Sequence, residues 1–164
     1  MRITVYNRQK SLGISTIPVK GIITGLLEGE RSPRASAFSQ ISVSFVTDKE
    51  IRELNRRFHH TDGATDVLAF DLGREDGRAG ASDKAGRWAK ARAGSSDKAG
   101  RVADIVVSAD TAIRNSRLLN TTPRFESCLY VIHGMLHLLG YDDSTPARRR
   151  LMRKKENGYV KLWL

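Results

Sequence analysis

His133 and His137 stand four residues apart in the run Tyr130-Val131-Ile132-His133-Gly134-Met135-Leu136-His137-Leu138-Leu139-Gly140-Tyr141-Asp142-Asp143. On a helix this spacing puts both imidazoles on one face, one turn apart, within reach of a single metal ion. Gly140 comes three residues after the second histidine, where a glycine can take the left-handed conformation that ends a helix and turns the chain back. The return brings Asp142 or Asp143 toward the same face as a third ligand. Three protein ligands on a divalent ion leave one position open, which is the catalytic rather than the structural arrangement.

A lone histidine on an apolar helix is more often a satisfied core residue than a ligand. This helix argues otherwise. Phe125, Cys128, Leu129, Val131, Ile132, Met135, Leu136, Leu138 and Leu139 make it apolar almost all round, as a buried helix should be. Its polar residues Glu126, Tyr130, His133 and His137 fall on one stripe. Left unpartnered in a core, each would cost roughly 1–3 kcal/mol. The stripe therefore needs a cavity, a metal or a hydrogen-bond network, and the ligand spacing favours the metal. Zinc proteases of the HExxH type carry Glu directly after the first histidine as general base. Gly134 occupies that position and has no proton-accepting side chain, so peptide hydrolysis by that route is disfavoured.

The elements that must position this helix can be read around it. Residues 1–6 alternate like a strand, and residues from about 16 to 29 read as a helix with Pro18 near its first turn, interrupted by Gly21 and Gly25. Gln40 to Val46 alternates Ile41, Val43 and Phe45 against serines, a half-buried strand. Thr47 and Glu50 form a capping-box pair that opens a helix through Ile51, Leu54 and Phe58. Thr65–Asp71 and Arg101–Ser108 hold the apolar runs of two buried strands. Ser108 caps a helix to about Leu119, and Thr121 or Thr122 caps the histidine helix, which Pro123 opens. Ser144-Thr145-Pro146 starts a last helix with its triple arginine at 148–150 facing solvent and Leu151, Met152, Tyr159, Leu162 and Trp163 offering packing surface.

Residues 74–100 stand apart. Arg78–Arg87 and Arg92–Arg101 are tandem copies with a period of fourteen, differing only at Ala81 against Ser95. So small and polar a unit has almost no face to bury, which reads as a flexible insertion between two strands. Trp88, between the copies, is the residue there that can stack on a base, although a loosely packed loop aromatic is the simpler reading.

With 164 residues and 40% hydrophobic content the chain reads as one globular domain. No apolar run is long enough to span a bilayer, and the amino terminus lacks a signal-peptide core. Cys128 is the single cysteine, so there is no internal disulfide and a disulfide-linked partner is not expected; the cytoplasm is the natural setting. The net charge of +10 is localised, +4 in residues 74–101 and +6 in residues 144–164. Such an excess suits a polyanion such as RNA, or merely a solvated loop and helix face.

The run HGMLHLLGYDD resembles the HGxLHLxGYDH signature of the YbeY endoribonuclease family, also called the rRNA maturation factor family. Leu54-Asn55, Phe58, Asp62, Thr65-Asp66-Val67-Leu68 and Phe70 fit that family's LNxxYRxxDxPTDVLSF segment, and Asp104-Ile105-Val106 with Ser108 fits its GDIVIS strand. The resemblance implies an α+β fold, a small mixed β-sheet flanked by helices with a buried metal-ligand helix. It also implies zinc-dependent cleavage of single-stranded RNA, with maturation of the 3′ end of small-subunit (16S) ribosomal RNA and ribosome quality control. The implied partners are the ribosomal RNA precursor and the small ribosomal subunit. Carried over by position, the implied ligands of one Zn2+ are His133, His137 and Asp143.

The chain departs from the family pattern in three places. Asp143 stands where the third ligand is usually histidine; His59 follows Phe58 where the family has a functional arginine; Ala64 and Ala103 replace a proline and a glycine. A carboxylate is an accepted zinc ligand, though it leaves the ion less electrophilic. His59 is the candidate catalytic, phosphate-side residue, cationic only part of the time near neutral pH. Asp66 and Asp104 read as structural, and Glu126 and Tyr130 as support behind the histidines. A metal-stabilised ribosome-assembly factor with little or no cleavage is the alternative, and a zinc protease comes third.

Overall fold

Period-two alternation makes this sheet a partition between two cores. The computed structural model describes residues 1–30, 32–74 and 100–163. Strands β1 (Arg2–Asn7), β2 (Phe38–Val46), β3 (Val67–Arg74) and β4 (Arg101–Ser108) pair in the order β1-β2-β4-β3. β1 and β4 run parallel to β2, while β3 is antiparallel to β4. Helices α1 (Val19–Gly29), α2 (Asp48–His59), α3 (Ala109–Leu118), α4 (Pro123–Leu139) and α5 (Pro146–Val160) cover it. This is the α+β class with a mixed sheet flanked by helices.

On one side Ile41, Val43, Phe45, Ala103, Ile105 and Val107 join α1, α4 and α5 in the larger core. On the other, Val46, Leu68, Phe70 and Val106 meet Ile51 and Leu54 of α2. β2 is more deeply placed than alternation against serines suggests: Ser42 and Ser44 are buried as well as the apolar residues between them. The strand lies between β1 and β4, and helices close both faces.

The glycines that interrupt α1 have a packing cause. A side chain at Gly21 would collide with the Trp163 ring, 2.5 Å from its Cζ3, and one at Gly25 would press on the same indole at 3.2 Å. Trp163, Tyr159 and Met152 thus bring the last segment onto the larger core, whereas Leu151 and Leu162, read as packing surface, remain exposed. Most of the insertion read at 74–100, Trp88 included, lies outside the described residues. Among the described residues no helix is long and apolar enough to cross a membrane.

Candidate metal centre

α4 is the helix around which the larger core closes. Thr122 caps its start, its side chain accepting from the Phe125 amide, with Pro123 in the first turn. Gly140 ends it at φ +98°, donating its amide N–H to the His137 and Leu136 carbonyls. That left-handed residue is what a glycine supplies without a Cβ penalty. Between these ends α4 packs on β3 and β4, with α1, α3 and α5 around it.

Beyond the Gly140 bend the two aspartates part company. Asp142 accepts from the Ser144 hydroxyl (2.6 Å) and amide (2.9 Å) and from Arg148 (2.5 Å). These contacts hold its carboxyl far below the usual range, Ser144 contributing most. Asp143 instead turns back: its carboxylate and one ring nitrogen each from His133 and His137 all lie within 4.8 Å of one another. All three side chains are half-buried, so the cluster opens toward solvent.

Hydrogen bonding fixes which nitrogens face the cluster. His133 Nδ1 lies 2.5 Å from the Glu156 carboxylate of α5, and His137 Nδ1 lies 3.1 Å from the Tyr141 carbonyl. Both partners are acceptors, so each Nδ1 must carry the proton, and the two Nε2 atoms are left facing each other at 2.9 Å. Two neutral rings so arranged would point lone pairs at one another. The arrangement calls for a cation between them, a proton or a metal. Two nitrogens bound tetrahedrally at about 2.0–2.1 Å stand roughly 3.3 Å apart, a few tenths of an ångström from what is found.

The electrostatics agree. Burial opposes charge on both rings. On His133 the Glu156 carboxylate outweighs burial and, with Asp66 and Asp143, lifts the pKa above the ordinary 6.5. His137 is lowered by burial and then by the charge of His133. Charge on His133 thus works against charge on His137. His, His and Asp are a donor set that suits zinc.

Glu126 and Tyr130, expected behind the histidines, are engaged elsewhere. Glu126 accepts from Thr121 at 2.5 Å and Tyr130 accepts from Asn115 of α3 at 2.8 Å. Burial is the main cause that pushes the Tyr130 phenol well above its ordinary value. A shared stripe is not a shared site: seven residues of helix are about 10 Å, so Glu126 belongs to the α3 end and the histidines to the α5 end. The supporting groups are Glu156 and the Tyr141 carbonyl. Glu156 had a signal, being the lone acid among seven basic residues in 144–164; a backbone carbonyl has none.

Gly134, one residue past His133, faces the sheet rather than the cluster. A Cβ there would sit 3.1 Å from Ile105 Cγ2 and 3.2 Å from Val67 Cγ2. The position that carries the general base in HExxH proteases is pressed tightly against the sheet here and points away from the cluster. His59, at the exposed end of α2, lies outside the donor cluster; its ring tilts beside Phe70 of the smaller core, 6.2 Å between centroids. Asp66 accepts from the Val67 amide and the Thr65 hydroxyl while its charge also reaches His133, and Asp104 is buried in β4.

Residues 4–163 match the family model described as Endoribonuclease YbeY. The chain belongs to the YbeY endoribonuclease family. A protein named Endoribonuclease YbeY from Anaeromyxobacter dehalogenans is 37% identical over 131 residues, 75% of this chain and 58% of that protein. One of the same name from a Thermoanaerobacter species is 32% identical over 158 residues, covering 95% of this chain and 93% of its own. The chain thus spans little more than half the length of the Anaeromyxobacter relative and nearly all of the Thermoanaerobacter one. A solution structure from Thermotoga maritima superimposes with a TM-score of 0.58 at 26% identity, covering 98% of this chain and 88% of the other.

Proposed function

We propose that this chain is a zinc-dependent endoribonuclease that cuts single-stranded RNA and matures the 3′ end of small-subunit ribosomal RNA in the cytoplasm, with a part in ribosome quality control. Its substrate would be the ribosomal RNA precursor on or near the small subunit. Residues 1–164 would act as one domain, with 74–100 inserted between β3 and β4. The observation that carries this reading is the opposed Nε2 pair at 2.9 Å with the Asp143 carboxylate beside it, in a chain whose relatives are named endoribonucleases.

His133, His137 and Asp143 would hold the ion. A divalent ion bound there would supply Lewis acidity toward phosphoryl oxygens and would lower the pKa of water. Glu156 and the Tyr141 carbonyl hold the two rings in the tautomer that presents Nε2. His59, exposed at the end of α2, would serve as an outlying phosphate contact.

Metal analysis of the purified protein is expected to show about one zinc per chain, lost in His137→Ala, since three ligands and no fewer complete such a site. Zinc-dependent cutting of a single-stranded RNA, abolished by the same change, tests the activity. Salt-sensitive RNA binding without cutting would instead assign a metal-stabilised assembly factor. A protein that takes up no zinc would end the catalytic reading.

A further inference from the structure

We infer that Arg149 is the side chain that receives the phosphate of the RNA strand at this centre, an assignment that rests on the ribonuclease reading. Two carboxylates, Asp143 and Glu156, stand at or next to the ion's place, so an incoming phosphodiester meets negative charge on the protein side. Phosphoryl chemistry needs a cation there to offset the charge that develops on the phosphate.

Most cations with defined contacts are already committed. Arg148 is paired with Asp142, Arg52 with Asp62, Arg56 with Glu53, Arg114 with Asp48 and Lys155 with Glu30. Arg149 differs. Its Nε donates to the Asp143 carbonyl at 3.3 Å, and no carboxylate pairs with its guanidinium among the described residues. The side chain is exposed, and the main chain it touches belongs to the residue that supplies the third donor.

Helix periodicity explains why it arrives there. Arg149, Met152 and Glu156 follow one another at spacings of three and four, one stripe of α5. Met152 is buried and Glu156 reaches His133, so this stripe is the one that closes on α4. Arg149 is its outermost member, next to the third donor. With Nε anchored on the main chain, both Nη groups are left to fork onto phosphate oxygens, which a guanidinium does and an ammonium does not. The same cation offsets the charge that a carboxylate, rather than an imidazole, brings to the third position.

The test uses the zinc-loaded full chain and a labelled oligoadenylate. Wild type, Arg149→Ala, Arg149→Lys and Arg150→Ala are compared in salt-dependent binding, in kcat and KM for cutting, and in zinc content. Removing Arg149 is expected to lower kcat/KM by about 10–100-fold, the size of a lost charge-assisted bond. The salt slope of binding should fall by about 0.7, one phosphate contact on a single strand. Zinc content should be unchanged, lysine should rescue in part, and Arg150→Ala should leave kcat near wild type. Equal, small losses in Arg149→Ala and Arg150→Ala would overturn the assignment in favour of a diffuse basic field. So would loss of zinc in Arg149→Ala, which would make Arg149 a prop for Asp143. A wild type that neither binds nor cuts the oligonucleotide would overturn the ribonuclease reading itself, and this assignment with it.

Discussion

Helices α2 and α4 lie on opposite faces of one sheet and are stabilised by different means. α2 relies mostly on its own neighbourhood. Thr47 and Glu50 close a reciprocal capping box, Glu53 pairs with Arg56 one turn on, and Arg56, Arg57 and His59 sit in its last turn at the negative end of the helix dipole. Only Asp48, which accepts from Ser108, Thr111 and Arg114, ties its start to α3. α4 draws its partners from afar: Asn115 for Tyr130, Glu156 for His133, and the Tyr141 carbonyl for His137. Tyr141 is in turn held by its hydroxyl on Glu30, after α1. A histidine at the end of α2 is left in water with a phenylalanine beside it, whereas those of α4 have their tautomers and protons set by other elements. The site sits where the most elements converge.

α4 is most sensitive to change at Gly134, where it touches the sheet. Gly134→Ala should change stability by no more than about 1 kcal/mol, the helix gain of alanine set against the few tenths of an ångström that Ile105 and Val67 must give. Gly134→Glu adds a buried unpaired charge, and a loss above roughly 4 kcal/mol, or no folded protein, is expected. Urea unfolding measures both. A stable, folded Gly134→Glu would show that α4 can lift off the sheet, against the packing described.

Glu30 comes next: its side chain is 6% exposed and its carboxylate accepts from Lys155 (2.7 Å), Tyr159 (2.6 Å) and Tyr141 (2.5 Å). Burial resists ionisation, but these three donors outweigh it and lower the pKa below 4.5. Glu30→Ala should cost about 2–3 kcal/mol by stranding the donors. The wild-type advantage over Glu30→Gln should be full above pH 4.5 and fall away as pH drops through the lower folded value, because the unfolded chain binds the proton first. A gap that widens in acid would reverse the assignment.

Glu156→Ala acts on the centre with less effect on the fold. Without the carboxylate His133 is free to change tautomer, and zinc affinity in a chelator competition should fall about 10–100-fold. Glu156→Gln, which can still accept from Nδ1, should lose less. Unaltered affinity in both would mean that the ring is held by packing alone.

Much of the local structure was legible because local chemistry decides it. The Thr47–Glu50 box, the Ser108 and Thr122 caps, Pro123 and Gly140 all act within one turn of where they stand. The convergence of His133, His137 and an aspartate beyond the bend was legible too, from helix spacing and one left-handed residue, whereas the choice of Asp143 over Asp142 came only from the family resemblance. Glu156 and Arg149 were not, because their role depends on how α5 lies along α4, a matter of packing between elements rather than of either helix. Gly21 and Gly25 looked like defects in α1 until Trp163, far along the chain, was seen to fill the space they leave.

A loss confined to the cap of α2 separates the two faces most cleanly. The Thr47 hydroxyl accepts the Glu50 amide at 3.3 Å, while the Glu50 carboxylate accepts from the Thr47 amide and hydroxyl at 3.0 Å. Thr47→Ala removes one arm of this box, and a loss of about 1 kcal/mol is the usual size for a cap. Because α2 makes its cap from its own residues, zinc affinity should be unchanged within error when measured well below the melting transition. Loss of affinity in step with stability would mean that strain at the α2 cap crosses the sheet through Val46 and Val106 to the histidines. The two faces would then be one cooperative unit, and the independence of local and remote support would have to be given up.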